Sequence, residues 1–453
     1  LQFIREIISK IDTLLWGWPL LILLLGTHLF LTIKLRFIQR YIGKAIKLSV
    51  TKDDNSHGDV SQFSALATAL ASTIGTGNIV GVATAISLGG PGAVFWTWVT
   101  GIFGIATKYS EALLSVKYRV RTKDGTMAGG PMYVLEYGLK KKWLGILFAI
   151  FTAVAAIGTG NMVQSNSIAG MAKEVLQVPT WVTGIVLALL TAGVILGGIK
   201  NIARVANVLV PFMALFYIVG CIIILMMNYR TIPATIATIF KFAFTKQAAV
   251  GGFAGSTMMV AMRFGVSRGL FSNESGLGSA PIVSAAAQTR NPVRQALVAS
   301  TGTFWDTVIV CAMTGIVLTN TGVWNKGLEG GQLTKVAFGT IPKFGTVFLT
   351  IALTTFVFST ILGWSYYGEK AVEYLMGRKG IIIYRIIWVV MVFFGAIFSL
   401  QFVWDISDLA NGLMAIPNLI SLIALNGVIV EETRKYLWNN KLNIESEDVP
   451  ISA

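Results

Sequence analysis

Apolar runs long enough to cross a bilayer recur along the whole chain, separated by short polar loops. A spanning helix needs about 20 such residues. The runs fall near 14–33, 62–87, 93–116, 144–171, 181–199, 206–228, 250–288, 296–319, 346–368, 381–400 and 405–429. They predict an all-α polytopic membrane protein with about eleven transmembrane helices. The run 250–288 is too long and too interrupted for one straight helix. Residues 34–50, "KLRFIQRYIGKAIKLSV", mix basic and apolar positions at helical spacing and predict an amphipathic helix lying at the membrane surface. The closing stretch "NNKLNIESEDVPISA" is polar and reads as a flexible tail. The first run has no small-residue cleavage motif after it and reads as a retained span.

Two runs carry polar breaks near mid-length. "ALASTIGTGNIVGVATA", residues 69–85, holds Gly75, Thr76, Gly77 and Asn78 at its centre. Glycine loosens a helix, and asparagine needs hydrogen-bond partners. In lipid every backbone polar group must be satisfied, so such a break survives only where it lines a cavity or packs in protein. A half-helix beginning after the break offers N–H groups and a positive dipole end to an anion. Carbonyls before the break can hold a cation. The alternative is a packing face of small residues through Gly77 and Gly81.

The second interrupted stretch is "STMMVAMRFGVSRGLFSNESGLGSAPIVSAAAQ", residues 256–288. It carries Gly265, Gly269, Gly276, Gly278 and Pro281, with Ser272, Asn273 and Glu274 between them. Arg263, Arg268 and Glu274 are costly at membrane depth unless they pair or face water, and one pairing joins Glu274 to either arginine. The expected breaks are 74–78 and 265–273. They lie in the second and seventh runs, so the two spans enter the membrane from opposite sides. Interrupted helices at corresponding places in two halves point to a transporter with inverted repeats.

Composition supports the membrane reading. The chain is 54% hydrophobic and 13% charged, with mean hydropathy +0.70; soluble domains carry about 25% charged residues. The net charge of +15 could suggest nucleic acid. Its basic residues instead cluster in alternate short loops, such as Lys117 to Lys123, Lys140 to Lys142 and Arg378 to Arg385, and in the first loop and the tail. That pattern places the N-terminus outside and the C-terminus inside, and removes the case for a nucleic-acid partner. His28 and His57 are far apart and make no metal cluster. Cys221 and Cys311 lie within apolar runs and imply no disulfide framework. No paired catalytic groups are present, so an enzyme is not expected.

Four stretches carry a family resemblance. "GGPGAVFWTWVTGIFG" (89–104), "GGPMYVLE" (129–136), "RGLFSNESGLGSAP" (268–281) and "GWSYYGEK" (363–370) resemble the sodium:alanine symporter family, with Thr97 in place of methionine and Gly101 as a second departure. The resemblance covers nearly the whole chain. It implies the fold of the amino-acid–polyamine–organocation superfamily, a five-plus-five inverted repeat with two broken helices. The implied organisation is an extra N-terminal helix and amphipathic helix over 1–60, a first repeat over 61–229, a linker over 230–249, a second repeat over 250–430 and a cytoplasmic tail over 431–453.

By the same resemblance, the function is sodium-coupled import of a small neutral amino acid, alanine or glycine, across a prokaryotic cell membrane. The substrate carboxylate meets the N–H groups of Thr76 and Gly77. Its amino group meets carbonyls near Gly269, Leu270 and Phe271, with Gln164 as a further partner. Ser272 and Asn273 in the second break and Trp364, which is otherwise a packing aromatic, complete the substrate site. Sodium, the coupling ion and sole cofactor, is held by the carbonyls of Ala71 and Ile74 and the hydroxyls of Ser359 and Thr360. Those hydroxyls otherwise back-bond to the preceding turn. Asp306 is a carboxylate in an apolar helix and is functional by default. It completes a second cation site with Asn78, carries a proton, or pairs with a buried arginine. Glu111, three residues after Lys108, is expected to pair along its helix, and Asp405 and Asp408 to begin the last span. Rival readings are a proton-coupled transporter of the same fold, a non-transporting sensor, and a channel.

Overall fold

The first apolar run forms α1, Trp18–Lys34, with proline in its opening turn. After a short 3-10 turn the chain bends by 65° into the basic, amphipathic α2, Ile42–Ser49. This is a computed structural model, and it describes residues 8, 10–11, 14–51, 57–244, 258–328, 330–398, 401–446 and 450. The expected start of a second repeat at residue 250 lies outside the described residues, as do the last tail positions.

The second run is broken as its sequence predicts. Ser61 caps α3, Gln62–Thr73, by accepting the Ser64 N–H at 3.1 Å. The helix stops where Ile74 turns extended, at ψ 97°. It resumes as a π turn, Gly77–Gly81, leading into α4, Val82–Gly89, and the two halves are bent by 52°. The long α5, Gly92–Lys117, follows. A two-stranded hairpin, Val120–Arg121 with Met127–Ala128, closes the next loop.

α6 runs from Lys142 to Leu176 and carries a π turn at Ala156–Met162. α7, Thr180–Ile195, and α8, Gly198–Met227, come next. The stretch expected as a linker contains α9, Ile232–Phe244, whose Ala243 carbonyl accepts the Trp96 indole N–H of α5 at 3.2 Å.

The second break lies later than the glycines suggest. α10, Met258–Asn273, is continuous through 265–273. Gly265 and Gly269 are contact positions: a Cβ on either would collide with α5, at the Ala93 carbonyl or the Thr100 hydroxyl. Thr97 Oγ1 donates to the Gly265 carbonyl at 3.0 Å across that contact. The interruption is 274–280, where Glu274, Gly276 and Gly278 all adopt positive φ. A short helix, Pro281–Ser284, ends it.

α11 spans Pro292 to Asn320 with a π turn at Phe304–Cys311. α12, Gly330–Phe338, α13, Gly345–Met376, α14, Arg378–Ile397, and α15, Gln401–Ala424, complete the bundle. Among the described residues six helices are long and apolar enough to cross a membrane, or eight if each bent pair is one span. The 26-residue α5 buries Thr100, Thr107, Lys108, Ser110 and Glu111 among its apolar positions. Asp405 and Asp408 lie inside α15, beyond its first turn.

The tail also departs from expectation. Asn291 Nδ2 donates to the carbonyls of Leu442 and Ile444, both at 2.9 Å, and the Ser446 N–H donates to the Arg290 carbonyl at 2.7 Å. Polar composition left those backbone groups available, and the loop before α11 uses them.

Candidate functional site

The first break diverts its own helix hydrogen bonds. The Gly75 N–H donates to Asn78 Oδ1 at 2.9 Å, and the Asn78 N–H to the Gly75 carbonyl at 3.3 Å. In a regular helix these donors would serve Ala71 and Ile74. Both carbonyls are therefore free to face α13. Ser359 Oγ lies 3.1 Å from the Ala71 carbonyl oxygen, and Thr360 Oγ1 lies 3.3 Å from that of Ile74. Each hydroxyl also reaches the Phe356 carbonyl, at 2.7 and 3.1 Å. A hydroxyl has one hydrogen to give. When it goes to Phe356, each hydroxyl oxygen is left against a carbonyl oxygen with no hydrogen between them. Four buried neutral oxygens so arranged suit a small hard cation, which favours oxygen ligands.

Thr76 and Gly77 begin the half-helix beyond the break, where N–H groups and the dipole's positive end favour an anion. They line a cavity together with Gly75, Ser72 and Thr73. Across it stand Phe271 of α10, Glu274 and Leu277 of the second break, Thr360 and Trp364 of α13, Thr159 and Gln164 of α6, and Asn411 of α15. Gln164 Nε2 donates to the Thr159 carbonyl at 2.9 Å and to Thr76 Oγ1 at 3.3 Å. The π turn supplies that carbonyl, a common use of such turns at functional sites. The acceptor oxygens of Gln164 and Asn411 are buried without hydrogen-bond partners.

Of the residues named from sequence, Thr76, Gly77, Gln164, Phe271 and Trp364 are brought to one cavity. Gly269, Leu270, Ser272 and Asn273 are not among its lining. Gly269 faces Thr100, the Leu270 carbonyl accepts the Glu274 N–H at 2.9 Å, and Asn273 Oδ1 accepts the Ser275 N–H at 2.9 Å. These positions sit in an unbroken helix, which consumes or turns away their polar groups.

Ser272 belongs to a second cluster. Its hydroxyl donates to Asp306 Oδ2 at 3.0 Å, as does Thr307 at 2.7 Å, while Asn78 Nδ2 donates to Asp306 Oδ1 at 2.7 Å. Asp306 and Asn78 are thus neighbours, fully buried, and the carboxylate ties the first break to α10. Three neutral donors meet it where an arginine was one of the expected partners.

The pairing of Glu274 with an arginine is also corrected. Glu274 Oε2 accepts the Ser279 hydroxyl at 2.5 Å. Arg263 and Arg268 open instead onto a separate cavity with Trp16, Asp408 and Phe271. Phe271 lines both cavities and forms the partition between them. The expected pairing of Glu111 with Lys108 along the helix is corrected as well, since Lys108 Nζ has no hydrogen-bond partner: Glu111 Oε1 instead accepts the N–H groups of Gly276 and Gly278, both at 3.0 Å, and Asn418 Nδ2 at 2.7 Å. Sequence reasoning missed this role, and also missed Asn411, Thr159 and the lining position of Glu274. The signal available for Glu274 was its place between a helix and two glycines.

A bundle of apolar spans, two of its helical segments broken at a shared polar cavity, defines a multi-pass membrane transporter. The sodium:alanine symporter family model matches residues 1–449, and the chain belongs to that family. It is 52% identical to an uncharacterised transporter of Haemophilus influenzae, covering 99% of each chain. It is 52% identical to the sodium/alanine symporter AgcS of Methanococcus maripaludis, covering 95% of this chain and 97% of the relative. Among solved structures, a Na+-coupled sialic acid symporter shares the fold at a TM-score of 0.57 and 11% identity, over 94% of this chain and 93% of the other.

Proposed function

We propose that this chain imports a small neutral amino acid, alanine or glycine, together with sodium across the cell membrane by alternating access. One observation carries the reading. Within residues 71–77 the first break frees two carbonyls toward the α13 hydroxyls and opens a half-helix N-terminus toward the cavity. Cation and carboxylate are therefore bound by adjacent turns of one broken helix, and each stabilises the conformation the other needs. Such coupling is reciprocal by linkage.

Ala71, Ile74, Ser359 and Thr360 hold the sodium ion. Thr76 and Gly77 take the carboxylate, with Gln164 beside them. Trp364 and Phe271 wall the cavity and favour a small side chain. Asn78 and Asp306 form a second cation site. The finer architecture belongs to the same proposal: about eleven spans, two inverted five-helix repeats over 61–229 and 250–430, N-terminus outside and C-terminus inside. Proton coupling, a non-transporting sensor and a channel remain as rivals.

The test is calorimetric binding of alanine, glycine and serine to the purified chain, first in sodium and then in potassium, followed by uptake into proteoliposomes. Saturable alanine binding that requires sodium is expected. Equal binding in potassium sinks the sodium assignment, and binding without uptake favours the sensor.

A further inference from the structure

Glu274 is a carboxylate at a backbone position that suits glycine. It follows directly on the last residue of α10 and has φ +56°. The left-handed conformation is disfavoured for residues with a Cβ, and helices commonly pass through it with glycine or asparagine. The same loop uses glycine for its other positive-φ positions, Gly276 and Gly278. Six other described non-glycine residues adopt positive φ, and all six are exposed; Glu274 is the one that is buried beside a polar cavity, where strained backbone points to a functional side chain.

The side chain is 3% exposed and lines the cavity with Thr76, Gly77 and Trp364. Its Oε2 is held by the Ser279 hydroxyl at 2.5 Å, which fixes the carboxylate's direction. Nearby charge does not balance it. Lys108, 3% exposed and without a hydrogen-bond partner at Nζ, acts electrostatically on Glu274, Glu111 and Asp306. One buried lysine thus stands against three buried carboxylates, and a buried charge is costly until it is paired. Glu111 takes three donors at Oε1, though its Oε2 is buried without a partner, and Asp306 takes three neutral donors. Glu274 is the carboxylate that faces the cavity.

We propose that the Glu274 carboxylate is the counter-charge for the substrate's α-ammonium group, so that the site selects an amino acid over the hydroxy acid of the same shape. The cavity is then polarised end to end, with half-helix N–H groups at Thr76 and Gly77 for the carboxylate and Glu274 for the ammonium. The inference rests on the reading of this cavity as an amino-acid site and adds the residue that recognises the amino group. It also replaces the carbonyls near Gly269 as that group's principal partner, since α10 is unbroken there.

The experiment compares binding of L-alanine and L-lactate to the full-length purified chain in sodium, for the native protein and for E274Q, E274D and E274G. The native chain is expected to prefer alanine by about 100-fold or more, as sites built for a buried polar group do. E274Q removes the charge and keeps the shape. It should weaken alanine binding by about tenfold or more, the size of a charge-assisted hydrogen bond, and leave lactate within about threefold of its native value. E274G relaxes the backbone and should show the same loss of alanine while remaining monodisperse. E274D keeps the charge on a shorter arm and should retain more alanine affinity than either. Monodisperse E274Q and E274G that bind alanine as the native chain does overturn the inference and leave the functional reading standing. A native chain that binds no amino acid overturns both.

Discussion

A methyl group placed on Gly160 would fall inside the Trp364 side chain. The α6 π turn and the indole are that closely packed, and overpacking of this kind costs about 1–3 kcal/mol where the neighbour cannot move away. Gly160→Ala should therefore displace the indole from the cavity wall and lower alanine uptake by about tenfold, measured with radiolabelled alanine at matched protein density. The hydroxyls of Ser359 and Thr360 make a second prediction. Replacing both with alanine removes two of four oxygens from the cation site. The sodium concentration for half-maximal uptake should rise by about tenfold or more, each lost ligand being comparable to a hydrogen bond. Maximal uptake at saturating sodium should change less. Both hydroxyls were legible as a pair in the sequence. That they face Ala71 and Ile74, and not merely their own helix, depends on where the break in α3 falls.

The two broken helices differ in how plainly they are written. The first break combines two glycines with an asparagine whose side chain closes on the Gly75 N–H, so its residues are written locally even though Asp306 holds that asparagine from a distance. The second is held from outside. Glu111 of α5 takes the N–H groups of Gly276 and Gly278, and Asn418 of α15 joins the same oxygen while donating also to the Gly276 carbonyl at 2.9 Å. Glu111→Gln keeps one acceptor oxygen but loses the charge that strengthens these bonds. It should lower the thermal unfolding midpoint by several degrees, corresponding to about 1–3 kcal/mol, and reduce alanine affinity with it. Glu111→Ala should cost more, since two buried N–H groups lose their partner. Scanning fluorimetry of the purified variants checks both. Gly265 and Gly269 misled because glycine serves close packing as well as interruption. Composition cannot separate these uses, and only the approach of α5 decides between them.

For the molecule as a whole, basic residues in alternate loops predict the sidedness of every connection. Cys221 and Cys311 are buried, so single cysteines introduced at exposed Lys123 and Lys326 report separately. Lys326→Cys should react with a membrane-impermeant thiol reagent on intact cells, and Lys123→Cys only after permeabilisation. The reverse pattern would invert the proposed orientation. What the chain determines by itself is its solvent and its family. Long apolar runs require helices in lipid, where no other open structure satisfies the backbone, and the glycine-rich motifs identify the symporter family. The tertiary structure alone decides which polar groups share the cavity. Asp306 meets Asn78 across 228 positions, and Ser359 meets Ala71 across 288. Hydropathy is a property of each segment and survives reading one segment at a time. A binding site is a property of the spaces between segments, and exists only once they are packed.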